Sequence, residues 1–209
     1  MKTTLDLENW NRKEHFLFFK QMEEPFFGIT TTIDCTKAYE AAKQLGTSFF
    51  VYYLHKTIVA VNAIEAFRYR IIDDAIYIYD TIDVSATIMR EDTTFGFSLI
   101  EYSSHFDVFA ANTFKEIERI KNTPGLFTRE FKSNNLIHFS AVPWVNFTSL
   151  SHARRYAFPD SCPKISFGKM IIDDNGKKTI SMSIHVHHGL MDGYHVGLFV
   201  DCFQELMNG

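Results

Sequence analysis

The chain has 209 residues, 46% of them hydrophobic, and a formal net charge of −4. These values suit a folded protein with a sizeable core and exclude a disordered chain. With 21 basic and 25 acidic residues, the sequence predicts neither a nucleic-acid partner nor binding to an anionic membrane. The mild acidic balance is compatible with a protein that handles small molecules.

The three cysteines, Cys35, Cys162 and Cys202, are far apart and lack CxxC spacing, so we expect no disulfide framework and no cysteine zinc site. Residues 1–10 are polar and unlike a signal peptide, and no apolar run approaches the roughly 18 residues of a membrane span. Together these features predict a protein of the reducing cytoplasm. No repeat or linker interrupts the chain, so we expect residues 1–209 to form a single domain.

The first half of the chain begins with two predicted helices. The first covers residues 36–45, with Thr36 as its N-cap and Gly46 at its end. The second is more apolar and covers residues 48–63.

Two strand patterns and a third helix follow. Residues 71–79 alternate around a two-aspartate turn and predict a hairpin, and residues 94–102 predict a strand. A capping box from Ser104 to Asp107 then opens a helix. We expect its apolar face to consist of Phe106, Phe109, Ala110, Phe114, Ile117 and Ile120.

The last third of the chain predicts three strands and a final helix. The strands cover residues 138–147, 164–172 and 179–187, and the Asn-Gly turn within 173–176 joins the last two. After Gly193 the apolar period becomes helical. The order of elements predicts an α/β or α+β domain in which helices pack on a largely antiparallel sheet.

A histidine pair lies where the last strand meets the last helix. His187 and His188 end the strand, and Asp192 follows four positions after His188. Histidine changes protonation near neutral pH and serves as a general base, while an aspartate here caps the helix or anchors the loop to a cation. Such spacing also arises by chance. A metal site is the weaker interpretation: His185 and His187 share a strand face, but His188 points the other way, so we expect no metal.

Three separated segments resemble the chloramphenicol O-acetyltransferases of the His-His-x-x-x-Asp-Gly type. Residues 9–16 are similar to the family's Asn-Trp-x-Arg-x-Glu-His-Phe opening, and residues 140–147 are similar to its Ser-Ala-Leu-Pro-Trp-Val-Asn-Phe segment. Residues 187–196 carry the histidine motif, in which Gly189-Leu190-Met191 replaces the more usual Ala-Val-Cys. Order and spacing agree over almost the whole chain.

The resemblance implies a mechanism and a set of roles. His188 would be the general base that takes the proton of the acceptor hydroxyl, and Ser140 would donate to the oxyanion. Asp192 would form a structural salt bridge with Arg12. An oxyanion donor is worth about 3 to 4 kcal/mol in comparable sites, and breaking a buried ion pair costs roughly 3–5 kcal/mol.

The resemblance also implies binding residues and an assembly. Acetyl-CoA would be the co-substrate and chloramphenicol the acceptor, in a homotrimer whose active sites lie between subunits. The fold would be the two-layer sandwich of CoA-dependent acyltransferases. Trp144, Ser166 and Lys169 would lie on the CoA side, with Ser166 near the reacting centre. The acceptor pocket would be aromatic, and its matching positions are Phe18, Phe19, Phe95 and Phe127.

Other functions stay open at this stage. Segment 24–28 departs from the common family forms and should lie beside the acceptor, so a family member that acetylates another hydroxyl or amine is one alternative. A catalytically silent binding homologue is another, although the joint presence of His188, Ser140, Arg12 and Asp192 argues against it. A lipoyl-domain acyltransferase core shares the motif, but the chain shows no lipoyl or linker segment.

Overall fold

The computed structural model describes residues 1–154 and 160–209, and within these ranges the chain forms five α-helices and nine strands. The helices are α1 (Lys13–Phe19), α2 (Thr36–Gln44), α3 (Phe49–Ala63), α4 (Phe106–Lys121) and α5 (Gly193–Asn208). The strands are β1 (Lys2–Thr4), β2 (Phe26–Asp34), β3 (Tyr69–Ile72), β4 (Ala75–Tyr79), β5 (Asp83–Met89), β6 (Phe95–Phe97), β7 (Leu136–Ala141), β8 (Lys164–Ile172) and β9 (Lys178–His187). Within the same ranges, no helix combines the length and apolar character needed to cross a membrane.

A six-stranded sheet forms the framework, in the order β2-β9-β8-β7-β5-β6. Strand β7 runs parallel to β5 and β8, and the other three pairings are antiparallel. A smaller antiparallel sheet has the order β1-β4-β3. The mixed, mostly antiparallel sheet with helices packed on it confirms the predicted fold class. The parallel strands β5, β7 and β8 are far apart in sequence, because parallel neighbours need long connections.

The two faces of β9 differ in chemistry, because apolar and polar residues alternate along its sequence. Ile180, Met182, Ile184 and Val186 are at most 4% exposed and belong to the same buried cluster as Val196 and Phe199 of α5. Each buried side chain of this size stabilises the fold by about 1.5–3 kcal/mol. The opposite face carries serine and histidine side chains, and it is the face that concerns the site.

The two predicted tight turns have the expected backbone. Asp73 and Asp74 take φ values of 48° and 63° between β3 and β4, as the two central residues of a tight hairpin require. Gly176 has φ of 80° between β8 and β9, a conformation that glycine adopts without steric cost.

Two predicted helix starts are wrong. Cys35, not Thr36, is the cap position of α2, because the Thr36 hydroxyl is engaged by Lys178 on β9, whose N–H donates to it at 2.8 Å. Helix α4 begins at Phe106 with no side-chain cap among the described residues, instead of at a Ser104 capping box. The Ser103 hydroxyl accepts from the N–H of His105 at 3.2 Å and shapes the turn before the helix.

Two predicted strands are shorter in the structure. The strand expected over 138–147 ends at Ala141, where Val142 and Pro143 turn the chain and the Val145 N–H donates to the Val142 carbonyl at 3.2 Å. The strand expected over 94–102 ends at Phe97, and only a single bridge from Ile100 to Val84 continues the pairing.

The buried face of α4 also differs from its prediction. Phe114 is 45% exposed, whereas Thr113 and Glu116 are buried together with Phe109 and Ile120. The inward face therefore follows positions 109, 113, 116 and 120, the spacing of one helix side. Glu116, a buried glutamate at one of these positions, needs hydrogen-bond or ion-pair partners.

Candidate active site

His188 lies on the loop between β9 and α5, and both of its backbone groups are held. Its N–H donates to the Pro25 carbonyl at 2.8 Å, just before β2 begins. Its carbonyl accepts from Nη2 of Arg12 at 3.3 Å, just before α1 begins. The end of β9 and the residues just before β2 and α1 therefore fix the position of His188.

Two phenyl rings hold the His188 imidazole. Phe19 of α1 stacks on it with ring centroids 3.9 Å apart and an interplanar angle of 15°, and Phe27 of β2 lies at 4.6 Å. The ring is half-buried, and its Nδ1 has no hydrogen-bond partner within residues 1–154 and 160–209. Aromatic packing, not a carboxylate, therefore orients the ring.

The ion pair expected between Arg12 and Asp192 is present. Nη1 of Arg12 lies 2.6 Å from Oδ2 of Asp192, while Oδ1 accepts from the N–H of Tyr194 at 3.1 Å and caps α5. Burial raises the pKa of the Asp192 carboxyl, but hydrogen bonds from Arg12 and His195 outweigh it and bring the pKa to about 2. The Asp192 carboxylate therefore both caps α5 and anchors the loop to a cation, the two roles that the sequence left as alternatives.

Sequence reasoning missed the contribution of His195. Its Nδ1 lies 2.9 Å from Oδ1 of Asp192, completing a reciprocal cap at the first turn of α5. The signal was available, because the side chain three positions after an N-cap reaches back to it.

The first histidine of the pair is structural. His187 is 4% exposed, and its Nδ1 accepts from the N–H of Gly189 at 3.1 Å. Burial, with the nearby charge of Arg154, lowers the pKa of His187 to about 4, so the ring is neutral near pH 7. A neutral His187 shapes the backbone on both sides of His188.

Ser140 lies in a row of serines across the polar face of the sheet. It pairs with Ser166 on β8, which pairs with Ser183 on β9. Ser166 is fully buried, and its hydroxyl has no hydrogen-bond partner in the part of the chain that the structure describes. The row offers hydroxyl donors at the middle of the sheet.

Trp144 and Lys169 adjoin this row at an irregularity of β8. The register shifts between Phe167 and Met170, and the N–H of Lys169 donates to the Val145 carbonyl at 2.8 Å. The Trp144 side chain is 64% exposed, and Lys169 is also exposed. We call Ser140, Trp144, Ser166 and Lys169 the serine cluster.

The four phenylalanines proposed for the acceptor fall into two places. Phe18 and Phe19 lie at the end of α1, with Phe19 against His188. Phe95 of β6 and Phe127 lie at the other edge of the sheet, each in contact with Phe97. Phe18, Phe95 and Phe127 are 59%, 44% and 68% exposed, far more than the core phenylalanines.

The chain does not bring His188 and Ser140 together. His187 is four residues beyond Ser183, and Ser183 is two strands away from Ser140 in the sheet. At about 3.3 Å per residue and about 4.8 Å per strand, His187 and Ser140 are roughly 16 Å apart, and His188 is one residue further along. We call Arg12, Phe18, Phe19, His188 and Asp192 the base cluster, and within one chain it is separate from the serine cluster.

One group of metal-ligand side chains exists that the sequence did not predict. Ligand atoms of His138, Asp160 and Cys162 lie within 4.8 Å of one another. The Lys164 ammonium forms a salt bridge with Asp160, and burial raises the pKa of the Cys162 thiol. A resident cation and a protonated thiol both oppose metal binding.

Comparison with known proteins agrees with this geometry. Residues 1–204 match the family model described as chloramphenicol acetyltransferase. Chloramphenicol acetyltransferase 3 of Escherichia coli is 31% identical over 99% of this chain and 97% of its own length. A chloramphenicol acetyltransferase of Proteus mirabilis is 29% identical over 96% and 92%.

Solved structures give the same result. One described as chloramphenicol acetyltransferase superposes with a TM-score of 0.90 at 32% identity, covering 99% of this chain and all of the other. A probable dihydrolipoamide acetyltransferase of Listeria monocytogenes superposes with a TM-score of 0.66 at 14% identity over 93% and 88%, which indicates a shared fold. The fold and these relatives define an acyltransferase. Within that class, the chain belongs to the chloramphenicol acetyltransferase family.

Proposed function

We propose that the chain transfers the acetyl group of acetyl-CoA to a hydroxyl of chloramphenicol, with His188 as the general base. Family membership over residues 1–204 supports the reaction class. The observation that carries the assignment is the fixation of His188: both backbone groups are hydrogen-bonded and the imidazole stacks on Phe19. A base held in this way is in position before substrate arrives.

The proposed reaction proceeds in a ternary complex. The His188 imidazole takes the hydroxyl proton as the acceptor oxygen attacks the thioester carbon. Ser140 donates a hydrogen bond to the oxyanion of the tetrahedral intermediate. The intermediate collapses by breaking its carbon–sulfur bond, and the CoA thiolate takes the proton back from the imidazolium.

The serine cluster would receive acetyl-CoA, the co-substrate. Trp144 offers an exposed apolar surface to the pantetheine chain, and Lys169 offers a cation to the phosphates. Ser166, whose buried hydroxyl lies beside Ser140, would support the reacting centre. No resident cofactor is needed for this chemistry.

The acceptor would lie between aromatic rings of the base cluster and aromatic rings at the opposite edge of the sheet. Phe18 and Phe19 flank the base, while Phe95 and Phe127 expose rings at the other edge of the sheet. Chloramphenicol carries a nitrophenyl ring and short polar groups, which suits an aromatic-lined cleft. Segment 24–28 enters the same region, because Pro25 and Phe27 contact His188.

The two clusters would complete a site only between copies of the chain. A base and an oxyanion donor must reach the same reacting group, and within one chain they are separated by at least roughly 16 Å. We therefore propose a homotrimer in which the base cluster of one subunit meets the serine cluster of the next, a head-to-tail contact that closes into a ring.

The proposal also covers the domain organisation of each subunit and its cellular compartment. Residues 1–209 would form one acetyltransferase domain, since one buried cluster draws on all the α-helices and on seven of the nine strands. The thiols of Cys35, Cys162 and Cys202 are free, which supports a reducing cytoplasm as the compartment.

Release of free CoA thiol tests the function directly. Purified protein is mixed with acetyl-CoA and chloramphenicol, and thiol appearance is followed with a chromogenic reagent. We expect rapid release that depends on chloramphenicol. No release, with acetyl-CoA binding still measurable by calorimetry, would overturn the acceptor assignment and favour another hydroxyl or amine.

A further inference from the structure

The segment after α4 presents an exposed aromatic ring on an irregular backbone. Phe127 is 68% exposed and belongs to none of the helices or strands, yet its ring centroid lies 5.2 Å from that of Phe97. The N–H of Phe97 also donates to the Leu126 carbonyl at 3.0 Å. Segments outside helices and strands are usually mobile, so the position of Phe127 requires contacts that hold its backbone.

Glu116 provides such contacts from the buried side of α4. Its side chain is 7% exposed, and its Oε1 accepts from the N–H of Leu99 at 3.0 Å. Both carboxylate oxygens accept from Arg119, at 2.8 and 2.9 Å, and Oε2 accepts from Arg129 at 2.6 Å. Burial raises the pKa of Glu116, but the hydrogen bonds with Arg119 and Leu99 and the charge of Arg129 outweigh it, so the carboxylate stays ionised.

The contacts continue into the segment beyond Phe127. Nη2 of Arg119 donates to the Thr128 hydroxyl at 2.9 Å, and Nη1 donates to the Thr128 carbonyl at 3.4 Å. With Arg129 held directly, two consecutive residues after Phe127 depend on the one carboxylate. Charge-assisted hydrogen bonds of this kind are roughly twice as strong as neutral ones.

A second buried side chain holds the segment before Phe127. Arg90 donates to the carbonyls of Thr123 and Gly125, at 2.8 and 2.7 Å, and to that of Ile120 at 2.9 Å. The backbone on both sides of Phe127 is therefore fixed by hydrogen bonds from arginine side chains. Neither arrangement stabilises the core by apolar burial.

We propose that Glu116 is a positioning residue for the acceptor, acting through Arg119 and Arg129 on Phe127. The inference rests on the proposed function, in which Phe127 lines the acceptor pocket. When Glu116 loses its charge, two guanidinium groups remain close together without their anion. The segment then relaxes, and the acceptor binds to a ring that is no longer held in place.

The test compares Glu116→Gln with Glu118→Gln, a change two positions away on the exposed side of α4. We expect Glu116→Gln to raise KM for chloramphenicol about tenfold, with kcat within about threefold and KM for acetyl-CoA unchanged. Thr128→Val removes one contact without exposing a buried charge, and we expect a smaller rise in the same KM. An unchanged KM for chloramphenicol in both Glu116→Gln and Thr128→Val would overturn the proposal. A fall in kcat alone in Glu116→Gln would also overturn it.

Amide hydrogen exchange separates this inference from the proposed function. Without acceptor, Glu116→Gln should exchange faster over residues 123–129 and unchanged over β8 and β9. If wild-type protein fails to acetylate chloramphenicol, the proposed function falls, and the exchange result alone decides whether Glu116 positions the segment. Unchanged exchange over 123–129 would overturn the inference whatever the acceptor.

Discussion

Arg12 and Asp192 are 180 positions apart in sequence, yet Nη1 of the arginine lies 2.6 Å from Oδ2 of the aspartate. The same guanidinium donates to the carbonyl of His188. One side chain near the N-terminus therefore fixes both the first turn of the last helix and the backbone of His188. The loop that carries the proposed base is held by the other end of the chain.

We predict that Asp192→Asn lowers the free energy of unfolding by about 1–2 kcal/mol and also lowers kcat. The side chain of Asp192 is 36% exposed, so the loss is smaller than the roughly 3–5 kcal/mol expected for a fully buried pair. Denaturant unfolding and steady-state rates measure the two effects. Asp201→Asn, an exposed change on the same helix, is the control, and normal stability with normal rate at Asp192→Asn would disprove the structural role of the pair.

His188→Ala should abolish turnover while leaving acetyl-CoA binding and thermal stability close to those of the wild type. The ring contributes the proton transfer, while the backbone contacts to Pro25 and Arg12 do not depend on the side chain. Thiol release, calorimetry and thermal unfolding provide the measurements, with His105→Ala as an exposed control. A variant that keeps most of its kcat would refute the general-base assignment.

Ser140→Ala should lower kcat by about two orders of magnitude with little change in either KM, because the hydroxyl acts on charge that develops only in the transition state. Ser104→Ala on an exposed turn is the matched control. If KM rises and kcat is unchanged, Ser140 is a binding residue instead.

Mixing the two inactive variants tests whether the site lies between subunits. Chains with His188→Ala and chains with Ser140→Ala are co-expressed with different tags, and the mixed trimers are purified. An interface works when its histidine comes from the Ser140→Ala chain and its serine from the His188→Ala chain, which holds at one of the three interfaces, about one third, in a mixed trimer of either composition. We expect about that fraction of wild-type activity. No recovery in verified mixed trimers would mean that both groups act within one chain.

Acid should destabilise the protein through His187. Its pKa is about 4 in the folded chain, below the ordinary value of 6.5, so the unfolded chain binds more protons between these values. Stability is therefore full above about pH 6.5 and falls as the pH drops towards 4, by up to about 3 kcal/mol for this ring. His187→Gln should flatten the unfolding free energy over that pH range relative to the wild type. An unaltered pH slope would show that His187 is not the group that titrates.

The sequence predicted much of the framework, because strong periodicity reflects burial directly. The strand expected over residues 179–187 and the helix expected after Gly193 were correct to within a residue. Competition between side chains and backbone caused the misses: the Thr36 hydroxyl binds β9 instead of capping its helix. Glu116 was overlooked because its inward position also depends on Arg129 and on the N–H of Leu99, which lie outside α4 and are not shown by the local sequence.

The sequence predicted the residues of the candidate site individually, but it did not predict how far apart they lie in the fold. Arg12, His188 and Asp192 meet as the motif resemblance implied. His195 was assigned no part, although it lies 2.9 Å from Asp192. The distance between His188 and Ser140 follows from the sheet register, which single-sequence patterns do not define.

With the proposed site between subunits, that distance would also make catalysis depend on protein concentration. If each chain carries half of a site, dilution below the dissociation constant of the trimer removes activity while every chain stays folded. Specific activity then reports the fraction of assembled protein, and substrates that bridge two subunits favour assembly by mass action. An enzyme built in this way is switched on as its own abundance rises.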